Sequence, residues 1–279
     1  MQKIVVLGGS GLVGNALLKE MDRGKEFELY GTYAKNPVAD GENRYFPLDV
    51  EDIRTLYGIL DLIKPQIVVS CLRGDFDKQL TLHVELAKYL KREDGRLYFC
   101  STANVFDANE DTDRHHYEED ATDAASEYGR FKAECEKRIV EILGEKACIL
   151  RLPQVWGKNS RILDKVHQAM DNKERIEVYP HIFYNTNTDI TLAKQIHYII
   201  RQEEKGVFHL AAEDVISHRD FYNQLLLGLG HTAELLRENP EGKGSLVLLS
   251  KRMDMFPEEL RIRNASVVKY LIGGSIAQE

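Results

Sequence analysis

The sequence predicts an α/β protein built on a doubly wound parallel sheet, and three observations carry that expectation. A glycine-rich turn, Gly8 to Gly14, follows an apolar N-terminal run and opens a segment of helical spacing. Apolar strand-like runs then alternate with amphipathic helical segments as far as residue 152. The run Gln66 to Leu72 is continuously apolar, as a strand covered on both faces should be.

Each element follows from local pattern. Lys3 to Leu7 reads as the first strand, and Leu12, Leu17, Leu18 and Met21 recur at helical spacing behind it. Glu28 to Tyr33 is the second strand, Tyr45 to Leu48 a short apolar segment, and Glu51 to Ile63 a helix that must stop before Pro65. Phe76 to Leu90 places Leu80, His83, Val84, Ala87 and Leu90 on one face, and Gly95 opens the strand Arg96 to Cys100. A polar, acidic stretch from Asp107 to Asp123 precedes a helix over Ser126 to Leu143 and a strand over Lys146 to Leu152. Right-handed crossovers then wind the sheet.

Beyond Pro153 the pattern loosens. It predicts a helix at Ile162 to Met170, strands at Ile176 to Tyr179 and Ile182 to Tyr184, and a helix from Asp189 to Arg201. Gly206 to Leu210 reads as a strand, and Ser217 to Leu229 as a helix with Ser217 and Asp220 as its capping pair. The expected organisation is a domain over 1–153 and a smaller lobe over 154–279, with the segment about 182–210 a candidate to return to the main sheet.

Composition narrows the function. A net charge of -8 over 279 residues argues against nucleic acid as the partner, because a polyanion needs a basic surface. Local positive groups still admit an anionic small molecule. Cys71, Cys100, Cys135 and Cys148 form no CxxC pair or metal-ligand cluster and read as reduced thiols, which fits the cytosol. The N-terminus lacks the pattern of a signal peptide, and no stretch approaches the length of a membrane span.

The residues with chemical potential lie where open parallel sheets bind ligands. Gly8, Gly11 and Gly14 have GxxGxxG spacing, which lets backbone approach a pyrophosphate at a helix N-terminus. The second strand ends in Tyr33-Ala34-Lys35-Asn36 without the acid that would hold the ribose hydroxyls of NAD(H). Lys35 could instead pair with a 2′-phosphate, so NADP(H) is favoured over NAD(H). Asp49 could accept from an adenine amino group with Val50 beside the ring, or cap the following helix. Ser101 and Thr102 end an apolar strand, where a hydroxyl can bind a carbonyl oxygen. Tyr128 and Lys132 stand at i and i+4 of a predicted helix and so share one face.

Together the glycine turn, Asp49, Ser101-Thr102 ending in Val105-Phe106-Asp107, and Tyr128 with Lys132 resemble the extended short-chain dehydrogenase/reductase family. Ser101 to Asp107 and Tyr128 to Glu136 look like its dTDP-4-dehydrorhamnose reductase branch, as do Arg151-Leu152-Pro153-Gln154-Val155-Trp156-Gly157 and Gly206 to Ala211. The resemblance implies a Rossmann-type domain, a small C-terminal α/β substrate lobe, and an NADP(H)-preferring reductase of a nucleotide-linked keto-sugar. It assigns Tyr128 as general acid, Lys132 to the nicotinamide ribose and to lowering the phenol pKa, and Thr102 rather than Ser101 to the substrate oxygen. It assigns cofactor contact to Gly8, Ser10, Gly11, Leu12, Val13 and Gly14 in the turn. Further contacts fall to Tyr33, Lys35, Asp49, Val50, Ser70, Cys71, Leu72 and Pro153. Asn104, Gln154 and Trp156 would join Thr102 at the substrate, and a homodimer is the candidate assembly.

Several residues depart from the branch. Ser70-Cys71-Leu72-Arg73 replaces its Asn-Ala-Ala-type segment, Ala103-Asn104 stands where Asp-Tyr is common, and the helix Phe76 to Leu90 has no clear Asn for a proton relay. Two alternatives therefore stay open: an NADP-binding regulatory subunit like the methionine adenosyltransferase beta subunit, and a sugar-nucleotide epimerase. His115-His116 beside Glu118, Glu119 and Asp120 reads as a solvated acidic loop, a candidate lid, and not as a metal site. Arg261 and Arg263 read as surface charges, with diphosphate binding as the alternative.

Overall fold

The computed structural model describes residues 1–35 and 44–273, so Asn36 lies outside the described residues. The chain begins with β1 (Gln2–Leu7), α1 (Leu12–Gly24), β2 (Phe27–Tyr33), β3 (Tyr45–Pro47), α2 (Ile53–Ile63), β4 (Ile67–Ser70), α3 (Phe76–Arg92) and β5 (Arg96–Thr102). It continues through α4 (Glu127–Leu143), β6 (Ala147–Leu152), β7 (Gln154–Trp156), α5 (Arg161–Asn172), β8 (Ile176–Val178), β9 (His181–Tyr184) and β10 (Thr186–Thr188). The last elements are α6 (Asp189–Arg201), β11 (Gly206–His209), β12 (Ile216–Ser217), α7 (His218–Gly228), β13 (Leu236–Glu238), β14 (Lys243–Ser245) and α8 (Asn264–Leu271).

A seven-stranded sheet in the order β11-β6-β5-β4-β1-β2-β3 carries the first half of the chain. β1 pairs in parallel with β2 and β4, β2 with β3, and β4 with β5. The order reverses between β1 and β4, so the chain leaves their carboxyl ends in opposite directions and opens a crevice there. That is where Gly8 and Cys71 stand. β1 and β4 consist mainly of apolar β-branched residues, and Ile4, Val5, Val6, Ile67, Val68 and Val69 are buried. Helices on both sheet faces explain why these runs do not alternate.

Helix packing follows the same logic. α1 buries Gly14, Leu17, Leu18 and Met21 along one stripe and ends at Lys25 in the left-handed region, φ 50°. Each of its large apolar side chains contributes roughly 2 kcal/mol from burial. α2 starts at Asp52, whose carboxylate accepts from the Arg54 N–H, and α7 starts at Ser217, whose hydroxyl accepts from the Asp220 N–H.

The chain divides into two compact units. The first comprises Met1–Thr102, Glu127–Leu150 and Leu192–Phe208, and the second Ala103–Ser126, Arg151–Thr191 and His209–Glu279. The first has its core between the sheet and α2, α3 and α4, including Leu56, Leu60, Leu86, Leu90, Phe99 and Ile139. The second packs Trp156, Phe221, Leu225 and Val267 beneath small sheets, one of them β12-β9-β14.

Candidate active site

The glycine turn is closed on itself by the Gly11 N–H donating to the Gly8 carbonyl at 2.9 Å. Gly8, at φ +77°, donates its N–H to the Thr32 hydroxyl at 2.9 Å, tying the turn to β2. A Cβ on Gly14 would lie 2.4 Å from the Gly8 carbonyl oxygen, and one on Gly9 would lie 3.0 Å from the Gly31 Cα. Side chains at either place would push the turn apart. No side chain caps α1 at Gly11, so the N–H groups at Leu12 and Val13 face outward from a positive dipole end. This cradle fits the pyrophosphate of a dinucleotide.

Around it, Tyr33 is half-buried at the end of β2 and Lys35 is exposed just beyond. Asp49 is exposed; its carboxylate accepts from the Glu51 N–H at 2.9 Å, and Asp52 performs the capping of α2. Val50 is half-buried against the core. Cys71 and Leu72 leave β4 directly beside the glycine turn: a Cβ on Gly8 would meet the Cys71 carbonyl oxygen at 3.0 Å and the Leu72 nitrogen at 3.4 Å. Ser70, expected at the cofactor, is instead 0% exposed between β1 and β5 with its hydroxyl 2.7 Å from His83 Nε2, and offers a ligand no surface.

Tyr128, Lys132 and Thr102 converge within the first unit. The Thr102 hydroxyl is hydrogen-bonded to the Tyr128 phenol, and Thr102 is 8% exposed. Ser101 is turned away, donating its hydroxyl to the buried Glu136 carboxylate. Lys132 is 2% exposed, donates from Nζ to the Cys100 carbonyl at 2.9 Å, and lies 4.5 Å from the Phe99 ring centroid. Burial lowers its pKa. Phe76 supports the pair, its ring 5.6 Å from that of Tyr128 and stacked 5.0 Å from Phe131.

The electrostatics correct one expectation. The phenol of Tyr128 is pushed up, because burial outweighs the opposing influence of Arg73 and of the Thr102 hydrogen bond. Arg73 is a cation that favours its phenolate. Arg73 is exposed and makes no hydrogen bond or ion pair among the described residues. The sequence marked it only as a departure from the family segment. His83, read there as one position on the inner face of its helix, bridges Ser70 and the Gln79 carbonyl, 2.6 Å from Nδ1. Burial and the Lys132 charge depress it to about 3, so it is neutral. The Gln79 side chain is fully buried with neither amide atom hydrogen-bonded.

In the second unit Asn104 is half-buried and donates from Nδ2 to Asp107 at 3.3 Å. Asp107 also accepts from the Ala125 and Ser126 N–H groups. Pro153 is buried and Gln154 exposed. Trp156, expected at the substrate, is instead 0% exposed, its ring 5.0 Å from Phe221 in the core of that unit. An indole held there has no face left for a sugar.

The acidic stretch is likewise anchored where a solvated lid was expected. His116 is buried and stacks on Phe106 at 4.1 Å, its backbone pairing with Val247 and Leu249. Glu118 accepts from the Ser250 hydroxyl and the Lys251 and His209 N–H groups. Among the described residues no three His, Cys, Asp or Glu side chains group as a metal site. Arg261 pairs with Asp254 at 3.5 Å. Among the described residues no helix is long and apolar enough to cross a membrane.

Comparison with known proteins agrees with this architecture. Residues 76–240 match the RmlD substrate binding domain family. The chain is 26% identical over 176 residues to a dTDP-4-keto-6-deoxy-D-glucose reductase of Streptomyces niveus, 58% of this chain and 60% of that protein. It is 24% identical over 185 residues to the methionine adenosyltransferase 2 subunit beta of Bos taurus, 62% of this chain and 52% of that protein. The matches thus span less than two thirds of either relative's length. A dTDP-4-dehydrorhamnose reductase of Bacillus anthracis, solved in complex with NADP, superposes with a TM-score of 0.79 at 16% identity, covering 97% of this chain and 99% of that one. With the family match extending over more than half its length, the chain belongs to the RmlD-like branch of the extended short-chain dehydrogenases/reductases.

Proposed function

We propose that this protein reduces the ketone of a nucleotide-linked sugar, as the dTDP-4-dehydrorhamnose reductases do, with a nicotinamide dinucleotide as reductant. The observation that carries the reading is the joining of Thr102 to Tyr128, with Lys132 one helical turn on, beside an uncapped glycine turn. The bound dinucleotide supplies the hydride.

The chain's own groups handle the rest. Thr102 orients the ketone oxygen, and Tyr128 donates its phenolic proton to that oxygen as negative charge develops there. A phenol pushed up by burial is protonated at neutral pH, which suits an acid. Lys132, fixed to the Cys100 carbonyl, holds the nicotinamide ribose hydroxyls. Leu12, Val13 and the glycine backbone take the pyrophosphate, while Tyr33, Lys35, Asp49 and Val50 hold the adenosine end. Cys71 and Leu72 border the dinucleotide by backbone, with Ser70 buried behind them, and Pro153 lies at its nicotinamide end. Exposed Lys35 favours a 2′-phosphate and hence NADP(H). The substrate contacts are Thr102, Asn104 and Gln154, and the assembly is a homodimer.

The test is oxidation of NADPH and NADH across a panel of nucleotide-linked 4-keto-sugars. Turnover on at least one, with NADPH the better reductant, is expected. Tight dinucleotide binding without turnover on any would overturn the catalytic reading.

A further inference from the structure

The ends of β4 and β5 bring two thiols together beside the dinucleotide cradle. Cys71 Sγ and Cys100 Sγ lie 3.6 Å apart, within the range of a thiol hydrogen bond. Ser70 pairs with Phe99 across the two parallel strands, so Cys71 and Cys100 are the next residues in the same register. Their backbones are themselves functional parts. The Cys71 carbonyl abuts Gly8, and the Cys100 carbonyl accepts from Lys132. Nothing in the proposed reduction uses either sulfur.

We propose that Cys71 and Cys100 form an oxidisable dithiol, a modification site at which a peroxide makes a disulfide that closes the cradle to the nicotinamide dinucleotide. The second half of this rests on the reading of the glycine turn as that cofactor's site. Cys71 is only partly buried as a residue whereas Cys100 is buried, so Cys71 stands nearer solvent and is oxidised first. Its sulfur takes one oxygen from hydrogen peroxide, giving a sulfenic acid and releasing one water. The Cys100 sulfur then displaces the sulfenic oxygen as a second water, and the S–S bond forms. Two thiols are oxidised by two electrons and one peroxide is reduced to two waters.

The geometry makes the consequence local. A disulfide length of about 2.05 Å requires the sulfurs to approach by roughly 1.5 Å. Cys71 follows a strand already held to β1 by its N–H to the Leu7 carbonyl at 2.9 Å, so the pull falls on its carbonyl side against Gly8. Cys100 moves the acceptor that positions Lys132. The reaction is slow in the resting protein, since the hydrogen bond to Cys100 and burial push the Cys71 thiol up, with Lys132 opposing.

The experiment treats the full chain with excess hydrogen peroxide, then unfolds it, alkylates the remaining thiols and maps the peptides by mass. Affinity for NADP+ and NAD+ is measured before and after. The expected result is a peptide pair linked through Cys71 and Cys100, with Cys135 and Cys148 alkylated, and a dissociation constant raised at least tenfold. Dithiothreitol should reverse both. Cys71→Ser and Cys100→Ser should form no link, and each variant, whatever its own starting affinity, should show the same dissociation constant before and after the treatment. The proposal is overturned if all four thiols stay alkylatable, if Cys71 proceeds to sulfinic acid with Cys100 still free, or if the link forms without changing affinity. A reduced protein that binds neither dinucleotide overturns the cradle and this proposal's second half; the cross-link itself is scored independently.

Discussion

Ser101 donates its hydroxyl to the buried carboxylate of Glu136, and this bond decides which of two adjacent hydroxyls faces the site. Both hydroxyls face α4: Ser101 meets Glu136, about two turns along the helix, while Thr102, the last residue of β5, meets Tyr128 in its first turn.

The two hydroxyls should separate by mutation. Thr102→Val is expected to lower kcat by about a hundredfold with a small change in melting temperature. Ser101→Ala removes one hydrogen bond to the buried Glu136 carboxylate, costing about 1–3 kcal/mol of stability with a smaller loss of kcat. Steady-state kinetics and denaturant unfolding distinguish the two.

Arg73 should set the working pH of the phenol. Its positive charge favours the phenolate, so Arg73→Gln raises the Tyr128 pKa further. In the proposed reduction the protonated phenol is the active form, so the alkaline limb of kcat against pH should move to higher pH. An unmoved limb would show that another group limits the rate there.

Acid should weaken the fold through its buried histidines. His83 is depressed to about 3 and His209 to about 4, both chiefly by burial. Unfolded histidine titrates near 6.5, so above that pH neither state gains a proton. As pH falls from about 6.5 toward these folded values, the unfolded chain alone is protonated. Stability then drops by about 1.4 kcal/mol per pH unit for each histidine. Urea unfolding at pH 7 and pH 5 measures the slope, and His83→Gln should reduce it.

Trp156 should behave as core. Trp156→Ala is expected to cost about 3–5 kcal/mol in urea unfolding, with substrate KM changing little in the protein that remains folded. A large KM effect at unchanged stability would return the indole to the substrate.

The legible part of this molecule was the part with local chemistry. Periodicity located the strands and helices of the doubly wound sheet because burial on both faces leaves continuous apolar runs, as in Ile67–Ser70. The spacing of Tyr128 and Lys132 placed both on one turn of α4 because helix geometry requires it. What escaped depends on distant contacts. No local pattern shows that Arg73 acts on Tyr128, that His83 bridges to Ser70, or that Trp156 meets Phe221. The anchoring of the acidic stretch also arises at long range, through Glu118 and Ser250, 132 residues apart. The meeting of Cys71 and Cys100 required the register of β4 and β5.

The most direct measurement follows deuterium from nicotinamide dinucleotide labelled at C4 of its reduced ring. With a nucleotide-linked 4-keto-sugar, the wild-type protein should deliver the label to the former carbonyl carbon, and Tyr128→Phe should bind the dinucleotide yet transfer none at a measurable rate. Equal transfer by the two proteins would contradict Tyr128 as the acid, and no transfer by the wild type to any such sugar would contradict the reductase itself.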